Sequence, residues 1–100
     1  MVDSYRIDEG PAATVLRPSG ELDINSRDDL HAMIVDALGP ASQVVVDLTD
    51  VTFIDSEALG ALIDGYNRAV AAGAGFRVVN ARPAVARVLN VSGAQELFDS

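Results

Sequence analysis

A transition from strand to helix between residues 43 and 60 constrains the fold more than any other part of the chain. The β-branched run over residues 43–48 is typical of a central strand that is covered on both faces. A short loop with Asp55 and Ser56 follows, and a helical pattern of apolar residues begins directly after it. This loop places a carboxylate and a hydroxyl at a helix N-terminus, where they either cap the helix or accept a phosphate.

Strand patterns at the start of the chain predict an antiparallel hairpin. Short strands are expected near residues 5–8 and 13–16, with Gly10-Pro11 as turn residues between them. Pro18 and Gly20 then predict either a bulge or the end of the second strand. The hairpin would add one antiparallel pairing to whatever sheet the rest of the chain forms.

Apolar residues spaced three and four apart predict three helices. Either Asn25 or Ser26 suits the N-cap of the first helix, and Gly39-Pro40 would end it. Pro83 suits the first turn of the third helix. The second helix is expected over about residues 56–72, and its predicted buried stripe comprises Leu59, Leu62, Ile63, Tyr66 and Val70.

A further strand at residues 76–80 and a short helical turn docked through Leu97 and Phe98 complete the pattern. The order is ββαβαβα, and alternating strands and helices favour right-handed crossovers and a largely parallel sheet. One hundred residues suffice for one domain. We therefore expect residues 1–100 to form a single α/β domain, with a mixed, mostly parallel four-stranded sheet and helices packed against it.

The composition excludes several classes of chemistry. All seven basic residues are Arg, so the chain has no lysine for a Schiff base or a P-loop. It has no cysteine and a single histidine, His31, which makes a hydrolytic triad or a zinc site hard to build. The acidic residues at the predicted strand ends suit turn capping better than magnesium binding; they are Asp23, Asp47, Asp50 and Asp55. We expect no cofactor and no metal.

The net charge of −8 argues against direct nucleic-acid binding, which needs clustered Lys and Arg. It suits a basic protein partner, or it serves only to keep a small domain soluble. No apolar run reaches the roughly 20 residues of a membrane helix. The first residues are mixed and acidic, unlike a secretory signal. These features predict a cytoplasmic protein without membrane contact.

Two arrangements of the Asp55-Ser56 loop are open from the residues alone. Ser56 can be the N-cap, with its oxygen accepting a hydrogen bond from a helical N–H. Alternatively, Asp55 is the cap, Ser56 is the first helical residue, and its hydroxyl is free to face solvent. Phosphorylation there would add about −1.5 to −2 charges, which a helix N-terminus tolerates but an acidic partner surface does not.

The chain carries motifs in a specific order: GELD at 20–23, VVVDL at 44–48, VTFIDS at 51–56, LG at 59–60, and PAVARVLNVSG at 83–93 followed by Leu97-Phe98. This ordered set spans nearly the whole chain. With it, the sequence resembles a STAS domain, specifically a bacterial anti-sigma factor antagonist (anti-anti-sigma factor).

The resemblance implies a switch in transcription regulation, for example in a stress response. In this family the unphosphorylated antagonist binds an anti-sigma factor, which is a GHKL-type serine kinase, and thereby releases the sigma factor. The kinase phosphorylates the serine of the D-S motif, which breaks the complex, and a phosphatase restores it. Mapped onto this chain, Ser56 is the phospho-acceptor, and the partner-binding residues are Asp23, Asn25, Asp55, Ser56, Glu57 and Leu59.

Two residues depart from the family pattern D-S-S-G-L-G or D-S-T-G-L-G, because this chain reads D-S-E-A-L-G at 55–60. Glu57 puts a permanent carboxylate beside the acceptor, and Ala58 replaces a glycine. The alternative function is a non-switching STAS scaffold or the accessory module of a lipid-transport ATPase. A nucleotide-binding role would need a phosphate cradle, and Gly73-Ala-Gly75 precedes a strand rather than a helix.

Overall fold

Five strands and four helices form within residues 4–9, 13–38 and 43–99, which are the residues that the computed structural model describes. The predicted turn residues Gly10-Pro11 and Gly39-Pro40 lie outside these residues. In chain order the elements are β1 (Ser4–Glu9), β2 (Ala13–Leu22), α1 (Arg27–Ala37), β3 (Gln43–Asp47), β4 (Asp50–Ile54), α2 (Ser56–Ala71), β5 (Gly75–Val79), α3 (Pro83–Val91) and α4 (Ala94–Asp99).

Strand β2 organises the sheet, because β1, β3 and β4 all pair with it. β1 pairs antiparallel, which confirms the predicted hairpin pairing. On its other side β2 pairs in parallel with β3 through residues 13–16, and then with β4 through residues 19–22. β5 pairs in parallel with β3. The α/β class and the mixed, mostly parallel sheet are confirmed, but the described residues form five strands rather than the predicted four.

The additional strand arises because β3 and β4 lie end to end along β2, with a turn between them. Asp47 Oδ1 accepts hydrogen bonds from the N–H and the Oγ1 of Thr49, at 2.9 and 2.5 Å, and so fixes that turn. Pro18 of β2 lies between the two paired segments, where no bond to β3 or β4 needs its missing N–H. The strand runs on through Pro18, and an irregularity follows between Gly20 and Glu21, where the register with β4 shifts by one residue and Gly20 has a φ of 84°.

Burial alternates along β3, and this pattern shows that the core lies on one face of the sheet. Val44 and Val46 are fully buried, whereas Val45 between them is half-buried on the opposite face. Buried residues from all four helices belong to the same cluster as Val44 and Val46. The prediction that residues 43–48 are covered on both faces is therefore wrong, since the described helices contribute their core residues to one face.

Helix α2 buries a different stripe from the predicted one. Leu59 and Leu62 are buried as predicted, and Ile63 and Tyr66 are partly buried against the core, but Val70 is 59% exposed. The prediction for Val70 is wrong because small residues form much of the buried face. These residues are Ala58, Ala61, Gly65 and Ala69.

The remaining helix boundaries agree closely with the sequence patterns. α2 ends at Ala71, and Gly73 follows it with a φ of 70°. Pro83 occupies the first turn of α3, as predicted. α4 docks through Phe98, which is buried, and Leu97, which is partly buried against the core. The end of α2, the start of α3 and the docking of α4 therefore depend on residues that the sequence pattern singled out.

Replacement of Gly65 by Ala tests the close packing of α2 on α1. A Cβ at Gly65 would lie 2.7 Å from Ile34 Cγ2 and 3.3 Å from Phe76 Cε2, so these neighbours would have to shift. Alanine gains about 1 kcal/mol of helix propensity over glycine, but overpacking a core costs about 1–3 kcal/mol. We expect Gly65→Ala to lower the free energy of unfolding by about 1 kcal/mol in urea denaturation.

Gly60→Ala is the matched control in the same helix. Gly60 is exposed, and a Cβ there meets nothing within 4 Å in the described part of the chain. It should raise the free energy of unfolding by up to about 1 kcal/mol. Equal stabilisation by both substitutions would contradict close packing at Gly65.

Candidate functional site

The candidate site forms where the parallel strands β2 and β4 end side by side. The N–H of Asp55, which follows β4, donates to the carbonyl of Leu22 at the end of β2, at 3.0 Å. The loop over residues 23–26 and the start of α2 therefore lie at the same edge of the sheet. The two loops that carry the predicted site residues are neighbours in the fold, although about thirty residues separate them in the chain.

Asp55 is the N-cap of α2 and also holds the neighbouring loop. Its Oδ1 accepts hydrogen bonds from the N–H groups of Glu57 and Ala58, both at 3.0 Å. Its Oδ2 accepts one from the N–H of Ile24, also at 3.0 Å. One carboxylate thus fixes the start of the helix and the position of the loop beside it.

The loop over residues 23–26 is closed by Asp23 and Ser26. Asp23 Oδ1 accepts hydrogen bonds from the N–H groups of Asn25 and Ser26, at 2.9 and 3.3 Å. The fully buried Ser26 Oγ accepts one from the N–H of Asp23 at 2.7 Å. Ser26 stands at the cap position of α1, yet its side chain makes no capping bond to the helix. The prediction of an Asn25 or Ser26 side-chain cap is wrong, because the Ser26 hydroxyl is used inside the loop.

Ser56 is the first residue of α2, and its side chain is exposed. Within residues 4–9, 13–38 and 43–99 no hydrogen bond engages its hydroxyl, because the carboxylate of Asp55 takes the N–H groups that a serine cap would use. The structure therefore adopts the second of the two arrangements that the residues leave open. The hydroxyl is available to another molecule.

Glu57 turns toward α1 and pairs with Arg27. The Nη1 of Arg27 donates to Glu57 Oε1 at 2.5 Å, and its Nε contacts Asp28 Oδ1 at 3.3 Å. The hydrogen bond that Arg27 donates to Glu57, followed by the one that it donates to Asp28, raises the pKa of the Arg27 guanidinium above its usual value. The sequence analysis did not single out Arg27, since a pair between residues 27 and 57 leaves no local pattern.

A shallow cleft of about 290 Å³, here called the α1–α2 cleft, lies between the two helices. It is lined by Arg27, Asp28, His31, Ser56, Glu57, Gly60, Ala61 and Asp64. At its far end Asp64 Oδ2 contacts His31 Nε2 and accepts a hydrogen bond from Arg68 Nε at 2.7 Å. Arg68 and then His31 hold the pKa of the Asp64 carboxyl below its usual value. His31 thus joins α1 to α2 through an ion pair when it is protonated.

Exposed apolar side chains accompany the loops. Ile24 and Phe53 are exposed beside the Asp55 cap, and Val91 of α3 is 82% exposed. A mostly apolar groove of about 370 Å³, here called the α2–α3 groove, is lined by Ser56, Leu59, Arg87, Val88, Val91 and Ser92. Exposed apolar groups that cluster near one loop are typical of a protein-binding surface.

The structure brings five of the six predicted partner-binding residues to one surface. Asp23, Asn25, Asp55, Ser56 and Glu57 lie in the two joined loops and the first turn of α2. The sixth, Leu59, is 7% exposed and forms part of the wall of the α2–α3 groove. Most of the Leu59 side chain is packed in the core, so it offers a partner little contact area.

Two acidic residues of the site, Asp23 and Asp55, accept hydrogen bonds from backbone N–H groups of the loop and of the helix start, whereas Glu57 pairs with Arg27. No group of three or more His, Cys, Asp or Glu side chains in the described ranges is arranged to hold a metal ion. Over the same ranges no helix has the length and apolarity to cross a membrane.

Replacement of Asp55 by Ala tests the double role of this carboxylate. The substitution removes the cap of α2 and the bond to Ile24, and loss of an N-cap alone costs about 1–2 kcal/mol. We expect the free energy of unfolding to fall by about 2 kcal/mol, as measured by urea denaturation. Asp55→Asn keeps one side-chain oxygen to cap α2 but sets its NH2 group against the N–H of Ile24, so it should lose only the part of the stability that comes from the bond to Ile24. Equal losses for both variants would show that the cap of α2 adds nothing beyond the bond to Ile24.

The fold is shared with solved anti-sigma factor antagonists. A Thermotoga maritima protein described as such an antagonist has 22% identity and a TM-score of 0.85, over 94% of this chain and 82% of that one. An antagonist from Mycobacterium paratuberculosis has 24% identity and a TM-score of 0.79, over 95% of this chain and 81% of that one. The antagonist SpoIIAA in its unphosphorylated form has 23% identity and a TM-score of 0.79, over 93% of this chain and 84% of that one. Bacillus SpoIIAA in its phosphorylated form has 21% identity and a TM-score of 0.73, over 95% and 87%.

A family model extends this likeness from the fold to the sequence. The model described as Mlab, STAS domain, matches residues 5–99. The matched range contains the GELD and VTFIDS motifs and every residue of the candidate site. The chain belongs to the STAS domain family.

Proposed function

We propose that this protein is an anti-sigma factor antagonist whose binding is controlled at Ser56. In its unphosphorylated form it binds an anti-sigma factor, a GHKL-type serine kinase, and so releases a sigma factor in the cytoplasm. Phosphorylation of Ser56 ends the interaction, and a phosphatase restores it. The observation that carries the proposal is the exposed, unengaged hydroxyl of Ser56 directly after the Asp55 cap.

The position of Ser56 suits phosphoryl transfer. In that step the Ser56 Oγ attacks the γ-phosphorus of ATP, the bond to ADP breaks, and the hydroxyl proton passes to a base on the kinase. The Ser56 side chain is exposed and makes no hydrogen bond within the described ranges. Modification of its hydroxyl therefore breaks no contact that stabilises the fold. The protein is a substrate and a binding module in this scheme, not an enzyme.

The surface around Ser56 suits a switch by charge. Ile24, Phe53 and Val91 offer apolar contacts around Ser56, and an apolar contact area has no group that would compensate a new charge. A phosphate would place about −1.5 to −2 charges within that contact area. A charge buried at an interface without a partner group costs several kcal/mol, which is enough to separate the proteins. No direct contact with nucleic acid or membrane is required.

The decisive experiment is intact-mass analysis after incubation with ATP and each candidate anti-sigma kinase of the same genome. A mass gain of one phosphate that is absent in Ser56→Ala supports the proposal and identifies the partner. A gain that persists in Ser56→Ala would place the acceptor elsewhere and overturn the assignment of Ser56. Binding to a kinase without any phosphate would leave an antagonist that does not switch.

A second candidate function is favoured by the family description itself and by Glu57 and Ala58. The matching family model is described as Mlab, STAS domain, and D-S-E-A-L-G departs from the switching pattern at two positions. In this alternative the protein is a non-switching module, such as the accessory subunit of a lipid-transport ATPase. Co-purification with a transporter ATPase from the same genome, together with no phosphate from any kinase, would favour this function over the first.

A further inference from the structure

We propose that Arg27 receives the phosphate of phosphorylated Ser56, and that it releases Glu57 to do so. This inference rests on the proposed phosphorylation of Ser56 and adds a mechanism by which this chain accommodates the new charge. It concerns the α1–α2 cleft, in which Arg27 of α1 already pairs with Glu57 in the first turn of α2.

The geometry brings the guanidinium close to the acceptor. Arg27 and Ser56 line the same cleft. Arg27 extends from the start of α1 to Glu57, which is the next residue after Ser56 in α2. Since both side chains open into the cleft, a phosphoryl group on Ser56 Oγ can meet the guanidinium after a side-chain rotation.

The charges favour the exchange. The Arg27 and Glu57 side chains are 42% and 45% exposed, and a pair so exposed contributes little, about 0–1 kcal/mol. A phosphate carries up to twice the charge of a carboxylate and offers three acceptor oxygens, which match the planar fork of an arginine. Phosphate therefore competes well with Glu57 for the same donors. Because the exchange leaves the Glu57 carboxylate unpaired next to the phosphate, the surface around Ser56 still gains the negative charge that opposes partner binding.

Other cations of the site are less suited to this role. His31 also lines the cleft, but its Nε2 contacts the carboxylate of Asp64. Arg68 pairs with the same carboxylate. Arg87 lines the α2–α3 groove on the other side of Ser56 and is exposed. It would have to be ordered from solvent, which costs up to about 2 kcal/mol of side-chain entropy. Arg27 is already held at the first turn of α2 by Glu57.

The test is a ³¹P NMR titration of protein that carries phosphoserine at position 56, installed during translation so that no kinase is needed. The quantity measured is the second pKa of the phosphate, about 6 without a partner group. We expect Arg27→Gln to raise this pKa by about half a unit or more, because a nearby cation favours the dianion. Glu57→Gln should lower it, since the competing carboxylate is gone. Arg87→Gln is the comparison variant and should shift it less than Arg27→Gln does.

An unchanged pKa in Arg27→Gln, or a larger shift in Arg87→Gln than in Arg27→Gln, would overturn the inference. All four proteins are first compared by circular dichroism and urea denaturation, so that a shift caused by unfolding is recognised. The titration involves neither kinase nor anti-sigma factor. Failure of kinases to modify Ser56 would therefore count against the proposed function, whereas an unresponsive pKa would count only against the role of Arg27.

Discussion

Ser56→Asp is expected to weaken binding of the anti-sigma partner by at least about a hundredfold while the fold stays intact. A charge buried at an interface without a partner group costs about 2–5 kcal/mol, and a hundredfold corresponds to about 2.8 kcal/mol. The free energy of unfolding should change by less than about 0.5 kcal/mol, because Ser56 is exposed and an acidic residue suits the first turn of a helix. Calorimetric titration of the partner and urea denaturation measure the two quantities.

The matched control for this experiment is Ser56→Asn, which has nearly the size of aspartate but no charge. If charge is the cause, the asparagine variant should keep most of the affinity, with a loss of less than about tenfold. Equal losses for the two variants would show that side-chain size at position 56, and not charge, limits docking. Wild-type affinity in Ser56→Asp would remove the basis of the switch.

Leu62→Ala is expected to cause the largest loss of stability among the substitutions considered. Leu62 is fully buried in the core beneath α2, and removal of a buried leucine side chain costs about 2–5 kcal/mol. A domain of this size has about 5–15 kcal/mol in total, so the variant should unfold at a much lower urea concentration. The measurement is the midpoint and slope of urea denaturation.

Val70→Ala in the same helix is the control, since Val70 is exposed. We expect a change of about 0.5 kcal/mol or less in the free energy of unfolding. A loss comparable to that of Leu62→Ala would mean that α2 presents to the core the stripe that its sequence pattern predicts, and that the observed orientation of the helix is wrong.

The comparison of these two residues shows how far a periodic pattern specifies a helix. Apolar spacing located α2 to within one residue at its end, but the pattern counted Val70 as buried. It gave no weight to Gly65, where a Cβ would lie only 2.7 Å from Cγ2 of Ile34 in α1. Which part of an apolar stripe is buried depends on the neighbouring helix, and that contact is absent from any local window.

Strand β4 was missed for a related reason. Its residues 50–54 form a short run directly after the Asp47 turn, and such a run has no length or periodicity that separates it from a loop. It is a strand because β2 extends past Pro18 and offers a second set of backbone partners. The sequence pattern treated Pro18 as a candidate strand end, and the sheet context decided otherwise.

The candidate site was predictable in its residues but not in its hydrogen bonds. The D-S motif located Asp55 and Ser56, yet the choice between them as the cap depends on a one-residue difference in where the helix starts. The structure assigns the cap to Asp55. The pair between Arg27 and Glu57 joins residues on different helices, and only the packing of α1 on α2 brings them together.

The central claim is that phosphate on Ser56 controls partner binding, and one measurement tests it most directly. The affinity of the cognate anti-sigma kinase is measured for two preparations of this protein, one unphosphorylated and one carrying a single phosphate on Ser56. We expect tight binding of the first and at least a hundredfold weaker binding of the second. Equal affinity for both would contradict the claim and leave the protein as a STAS module that does not switch.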